Sequence, residues 1–199
     1  TVAGYSGNRF AKSQAFELPF TMTGAEATSR AAWDYMTQDA ADEISEVKML
    51  AVHVSGPGII FTNKRPIRTA NDLKDMRMRG PTVPVTAMLK AFGATPVAMP
   101  VPKIPEALSK GVVDGAVIPY QIAPALRVHE LAKFTSVPDR QDKGLYTTVF
   151  FFAMNQAKYN SLPAKLRAVI DETSGQALSA TMGRMVEEDD LRAEAIEWQ

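Results

Sequence analysis

Short apolar runs with strand character alternate with helix-like stretches along the whole of this 199-residue chain, and that alternation restricts the fold more than any other feature. Val47-Lys48-Met49-Leu50-Ala51-Val52-His53-Val54 has the pattern of a mostly buried strand. Ser55-Gly56-Pro57-Gly58 ends it, and Ile59-Ile60-Phe61-Thr62 opens another. Met76-Arg77-Met78-Arg79 is a short strand stopped by Gly80-Pro81. Pro96–Met99 is extended, Val112–Ile118 is a strand broken by a turn signal, and Thr147–Met154 is a strongly apolar strand. Between them the spacing predicts helices over 25–41, 85–92 and 121–133, and a short one at 105–110 with Pro105 in its first turn and Gly111 at its end. Thr23 is the expected cap of the first helix, Thr69 and Asp72 resemble a capping box, and residues 1–20 read as loop and a short extended piece. A nearly continuous helix is expected from Leu162 to Glu197, bent at Gly175 or Gly183. Strands alternating with helices place the chain in the α/β class, around a mainly parallel sheet.

Several function classes fall away on composition. The chain has no cysteine, which removes disulfides, thiolate nucleophiles and Cys-ligated metals. Its 22 Lys+Arg balance its 22 Asp+Glu, which argues against nucleic acid or an anionic membrane as the main partner. No apolar run is long enough to span a bilayer. Thr1-Val2-Ala3-Gly4 carries no basic or apolar leader, so the start reads as mature or truncated. Phosphate-loop, dinucleotide, zinc-protease and nucleophile-elbow signatures are absent. His53 and His129 lack suggestive partners in sequence, and the acidic run Glu187-Glu188-Asp189-Asp190 reads as a solvated face rather than a metal site. No catalytic residue, metal or cofactor is expected.

Basic residues cluster at Lys64, Arg65, Arg68, Lys74, Arg77 and Arg79. Arg77 and Arg79 alternate with methionines in a strand and therefore share a face. Gly80-Pro81 puts Arg79 at the C-terminal end of that strand, the end at which open α/β sheets bind ligands. A guanidinium there offers a rigid fork that matches a carboxylate. The plainer alternative is that Arg79 pairs with an internal Asp or Glu.

The run from Pro66-Ile67 through Asp72-Leu73-Lys74 to Arg79-Gly80-Pro81 resembles the P-I-x-x-x-x-D-L-K-G-L-K-I-R-x-P segment of the periplasmic solute-binding proteins of TRAP transporters, DctP type. Four further pieces match in order: Phe16-Glu17-Leu18-Pro19-Phe20, Gly93-Ala94-Thr95-Pro96-Val97 with Met99-Pro100, Glu106-Ala107-Leu108 through Val113-Asp114-Gly115, and Asn155 with Tyr159 through Leu162-Pro163. Together they cover about residues 1 to 185.

This resemblance implies a two-domain periplasmic-binding-protein fold with a cleft and a long domain-spanning helix. It places part of domain I at 1–56, domain II at 57–143, a return to domain I at 144–180, and the end of the spanning helix at 181–199. It implies a chain incomplete at both ends, a periplasmic location and the TRAP membrane subunits as partners. It implies that Arg79 anchors the carboxylate of a small-molecule ligand. The family's sialic-acid binders carry a second arginine, an asparagine and an aromatic where this chain has Ile59, Ile118 and Val101. The pocket beside Arg79 is therefore expected to be apolar and to suit a monocarboxylate with an apolar or aromatic body. Tyr120, Phe151, Phe152 and Tyr5 are candidates to line it, and Gln121 for a second hydrogen bond. The rival readings are an enzyme acting on a small carboxylic acid through Asp114 or Tyr120, and an extracytoplasmic ligand-sensing domain.

Overall fold

The computed structural model describes residues 1–139 and 144–196. Two 3-10 segments, Ala3–Phe10 and Lys12–Glu17, lead into α1 (Ala25–Gln38), α2 (Ala41–Ile44), β1 (Val47–Val54) and β2 (Gly58–Thr62). There follow β3 (Arg77–Gly80), α3 (Val83–Ala91), β4 (Thr95–Ala98), α4 (Ile104–Ser109), β5 (Gly115–Pro119), α5 (Val128–Leu131) and β6 (Phe134–Ser136). The chain closes with β7 (Val149–Asn155), α6 (Gln156–Asn160), α7 (Ala164–Glu172) and α8 (Gln176–Glu194). Among the described residues no helix is long and apolar enough to cross a membrane.

The strands form two sheets. β1 and β7 pair antiparallel, with a register shift between Met49 and Ala51. The other five are ordered β4-β3-β5-β2-β6. β3 runs parallel to β4 and β5, whereas β2 is antiparallel to both β5 and β6. The expected mainly parallel sheet is thus a mixed one. An apolar run has the same pattern in either direction, so alternation reports that strands exist and not which way they point.

Each sheet has its own core. Ala25, Ala32 and Met36 of α1 pack with Met49, Val52, Val149 and Phe151 of β1 and β7. The five-stranded sheet is covered on both faces. Ile59, Phe61, Ala116 and Ile118 face one cluster with Ile104 and Leu108. Ile60, Met78 and Val117 face the other with Val85 and Leu89. The two-residue period of β2 sorts its isoleucines to opposite sides.

Three connections join the sheets. Ser55 donates its N–H to Thr148 O at 2.9 Å and Gly58 to Tyr146 O at 3.0 Å, so the segments 55–58 and 146–148 run side by side. The Ser55 and Thr147 hydroxyls meet at 3.1 Å and are buried. The third connection is α8. Ser179 Oγ accepts the Val52 N–H at 3.0 Å near its start, and Asp190 Oδ1 accepts the Gln121 N–H at 2.7 Å near its end.

Four further expectations are corrected. The helix expected over Leu162–Glu197 is two helices, with residue 197 outside the described residues. Gly175 breaks it at φ +94, a conformation that other residues rarely adopt, and gives its N–H to Leu50 O at 2.7 Å. The helix expected over 121–133 reduces to a 3-10 turn at Tyr120–Ile122 and α5. Pro124 lacks an N–H to continue the first turn, and Arg127 adopts φ +53. Residues 3–17 are 3-10 turns rather than loop, and Gly24, not Thr23, precedes α1. The capping box of Thr69 and Asp72 is present. The ends of the segments expected at 57–143 and 181–199 lie outside the described residues.

Candidate functional site

Gly80 ends β3, and the Arg79 side chain leaves the sheet there almost wholly enclosed, 1% exposed. Its Nε donates to Met99 O at 3.0 Å, Nη1 to Val117 O at 3.0 Å and Nη2 to Tyr5 Oη at 3.4 Å. All three acceptors are neutral. A guanidinium has five N–H groups, so one on each terminal nitrogen is left without a described partner. Among the described residues no carboxylate is recorded in a salt bridge with it, whereas Arg77 on the same strand has Asp114. Burial lowers its proton affinity, and the nearby Tyr146 and Tyr5 offset part of that effect.

Arg77 is different. Its N–H donates to Asp114 Oδ2 at 2.9 Å and its Nη2 to Asp114 Oδ1 at 2.8 Å, while the Lys64 ammonium lies 3.0 Å from the same carboxylate. Burial alone would raise the Asp114 carboxyl. The two cations and the backbone amide more than reverse it and hold the group well below the usual carboxylate range.

Tyr5 reaches Arg79 from the 3-10 segment 3–10, which packs on the other sheet: Val2 bridges to Phe150, and Phe151 N–H donates to Thr1 O at 2.9 Å. The Tyr5 hydroxyl also accepts the Val101 N–H at 3.2 Å. Three more polar side chains are buried nearby. Tyr146 lies on the segment 146–148, its ring seated against Gly58, with its hydroxyl in electrostatic range of Arg79, Glu17 and Tyr5. Glu17 accepts the Val149 N–H through Oε1 at 3.1 Å. Thr82 precedes α3, and a methyl group on Gly4 would lie 2.5 Å from its Cγ2 and 3.7 Å from Glu17 Oε1. Tyr146 Oη, Glu17 Oε2 and Thr82 Oγ1 have no hydrogen-bond partner among the described residues. Each such atom costs a fold about 1–3 kcal/mol.

The remaining candidates divide into two groups. Register places Ile59 opposite Ile118, and Arg79 opposite Ala116 and Val97, so Ile59, Ile118 and Arg79 occupy one face of the sheet. Val101 and Tyr120 pack into the apolar cluster on that face, Tyr120 edge-on to Phe61 at 6.0 Å. Ile59 and Tyr120 also border a cavity of about 410 Å³ shared with Pro57, Asp190 and Leu191. Phe151, Phe152 and Gln121 stand elsewhere. Phe151 packs edge-on to Phe10 at 4.8 Å in the other core, and Phe152 points to the opposite, solvent side, 50% exposed. Alternation along β7 separates them. Gln121 Oε1 accepts the Gly56 N–H at 3.0 Å and so ties a connection between the sheets. His53 stacks on Phe150 at 4.9 Å, and burial lowers its pKa.

Sequence reading did not single out Glu17, Thr82 or Tyr146. Glu17 lies inside the quoted Phe16–Phe20 segment, but nothing in its spacing relates it to residue 82 or 146.

The sequence profile of the bacterial extracellular solute-binding proteins, family 7 (DctP), matches residues 1–197. The outer membrane transporter protein TsaT of Comamonas testosteroni is 33% identical over 187 residues, covering 92% of this chain and 54% of that protein. A TRAP solute-binding protein from Rhodoferax ferrireducens, solved with copurified benzoate, superposes with a TM-score of 0.96 at 48% identity, over 98% of this chain and 60% of that one. A marine-metagenome TRAP solute-binding protein specific for aromatic acid ligands, solved with 3-hydroxybenzoate, gives 0.94 at 46% identity with the same coverage. The chain thus spans about half the length of this curated relative and about three-fifths of these solved chains.

Proposed function

From the premise that this chain belongs to family 7 of the bacterial extracellular solute-binding proteins, we propose that it captures a small organic monocarboxylate with an apolar or aromatic body. Capture takes place in the periplasm, for delivery to TRAP membrane subunits. The observation that carries this reading is Arg79, a buried guanidinium with neutral partners only and one unused N–H on each terminal nitrogen. A carboxylate presents two oxygens to such a fork and supplies the missing charge, a stronger pairing than neutral hydrogen bonds give. Ile59, Ile118 and Val101 lie on the same face of the sheet in an apolar cluster, which supports an apolar rather than a polyhydroxylated ligand body on that side. The benzoate and 3-hydroxybenzoate of the two solved relatives fit that description.

Residues 1–56 and 144–180 form one domain of the cleft and 57–143 the other, with α8 passing between them. Tyr5 comes from the first and Arg79 from the second. A ligand on Arg79 therefore favours the arrangement in which both domains close on it, by its differential affinity for that state. No chemical conversion enters. Asp114, the candidate acid or base of an enzyme, is locked by Arg77 and Lys64 in its ionised form, far too weak a base for proton abstraction near neutral pH.

Calorimetric titration with benzoate, phenylacetate and sialic acid tests the reading. The two aromatic acids are expected to bind and leave unchanged after long incubation. Tight sialic acid binding with no response to either aromatic acid would sink it.

A further inference from the structure

Three buried polar atoms lack a well-formed hydrogen bond among the described residues: Tyr146 Oη, in electrostatic range of both Arg79 and Glu17, and Glu17 Oε2 and Thr82 Oγ1, whose side chains lie close enough for Thr82 to act on the Glu17 carboxyl. Their residues are 1%, 1% and 3% exposed. Buried polar groups are nearly always hydrogen-bonded, so three such atoms, close to one another and joined to Arg79 through Tyr146, require a reason. They come from three separate parts of the chain: the 3-10 segment Lys12–Glu17, the residue before α3, and the connection at 146–148. Such a meeting is not the by-product of one local turn.

We propose that Glu17, Thr82 and Tyr146 form a second polar subsite beside Arg79 that receives a hydroxyl group of the ligand, so that hydroxylated monocarboxylic acids are preferred over their unsubstituted parents. The proposal rests on the carboxylate reading of Arg79 and deepens it. The chemistry of the three atoms selects the group. A phenol or a threonine hydroxyl donates or accepts, and a carboxylate oxygen accepts. A ligand hydroxyl is uncharged and both donates and accepts, so it can satisfy Tyr146 and Glu17 together. A ligand ammonium would face the Arg79 charge. A second carboxylate would face the Glu17 carboxyl. Burial favours the neutral form of Glu17, with the Thr82 hydroxyl and the Val149 amide acting in the other direction. A neutral Glu17 still offers a hydroxyl both a donor and an acceptor.

The test is calorimetry with benzoate and with 2-, 3- and 4-hydroxybenzoate, on the wild-type protein and on Tyr146→Phe and Thr82→Val. One of the three hydroxybenzoates is expected to bind the wild type about tenfold more tightly than benzoate, the worth of one good hydrogen bond. Tyr146→Phe should bring the ratio of hydroxybenzoate to benzoate affinity to within about twofold. Since the Tyr146 hydroxyl has no hydrogen-bond partner among the described residues, its removal should not lower Tm. Thr82→Val provides the same readout through a different element. A wild type that binds all four acids equally would mean that water alone fills the subsite, and would overturn the proposal while leaving Arg79 as the anchor. A preference that survives both substitutions would also overturn it. Failure of all four acids to bind, benzoate included, would overturn the carboxylate reading and the subsite with it.

Discussion

Arg77 and Arg79 stand two residues apart on β3, and their surroundings are opposite. Arg77 has an exposed head and a buried partner: Asp114 takes its amide and its guanidinium and holds Lys64 as well. Arg79 has a buried head and no ionic partner among the described residues, only two carbonyls and a phenol. A structural charge is neutralised where it sits. A charge kept for binding, the role proposed for Arg79, is left desolvated and incomplete until a ligand completes it. Tyr146, Glu17 and Thr82 repeat the second pattern around Arg79. The fold therefore carries the cost of an unfinished polar cluster at one end of the sheet and a finished one on the neighbouring side.

The largest expected effect separates the two arginine environments by function. Arg79→Met should weaken benzoate binding by about 100-fold or more, roughly the 3 kcal/mol of a charge-assisted two-pronged contact. It should leave Tm unchanged or raise it, because an apolar side chain replaces a buried cation without a counter-charge. Arg79→Lys should also bind weakly, since a point charge lacks the fork. A large fall in Tm with affinity retained would assign Arg79 to the fold instead. Asp114→Ala should do the reverse. It leaves the Arg77 amide without its acceptor and two cations without their anion, at a cost of about 2–3 kcal/mol, or roughly 5–10 °C in Tm, with benzoate affinity little changed. The pH dependence follows. Asp114 is held below the usual carboxylate range, so its contribution is fully present above the unfolded pKa of about 4 and is lost as pH falls further. Wild type and variant melting curves should therefore converge in acid.

What the sequence disclosed here depended on distance along the chain. The strand ending at Arg79-Gly80 was legible from three adjacent signals: methionine alternation, a glycine and a proline. So were β1, β2 and the capping box at Thr69, each encoded within a few residues. The direction of β2 was not, because its pairing with β5 and β6 is set by where the segment at 55–58 enters the second sheet. The break at Gly175 was marked only as a bend, since its φ of +94 is fixed by the contact of its amide with Leu50, far upstream. The site shows the same division. Arg79 could be picked out, and the family resemblance gave it a role. Glu17 and Tyr146 could not, because residues 17, 79 and 146 meet only through the packing of two sheets. Phe152 illustrates the converse: its neighbour Phe151 is buried, but one step along a strand reverses the face.

The smallest predicted effect concerns a partly buried carboxylate outside the arginine pair. Asp190 of α8 accepts the Gln121 amide through Oδ1, and its Oδ2 has no partner among the described residues. Burial pushes its pKa up to about 7, the Gln121 amide opposing and the nearby charges of Asp189, Glu194 and Glu187 adding to the rise. The folded state thus holds this proton more tightly than the unfolded chain. Stability from this group is fully present below the unfolded pKa of about 4 and is lost as pH rises through about 7, the opposite sense to Asp114. Asp190→Asn keeps an acceptor for Gln121 and removes the charge, so it should stabilise the protein by roughly 1–3 kcal/mol at pH 8 and by nearly nothing at pH 4. His53, its pKa lowered by burial, makes stability fall as pH drops. The difference in Tm between wild type and variant, followed from pH 4 to 8, cancels that background. A difference that stays flat across the range would mean that Asp190 is ionised in the fold throughout, and that Arg79 is not alone in holding an uncompensated buried charge.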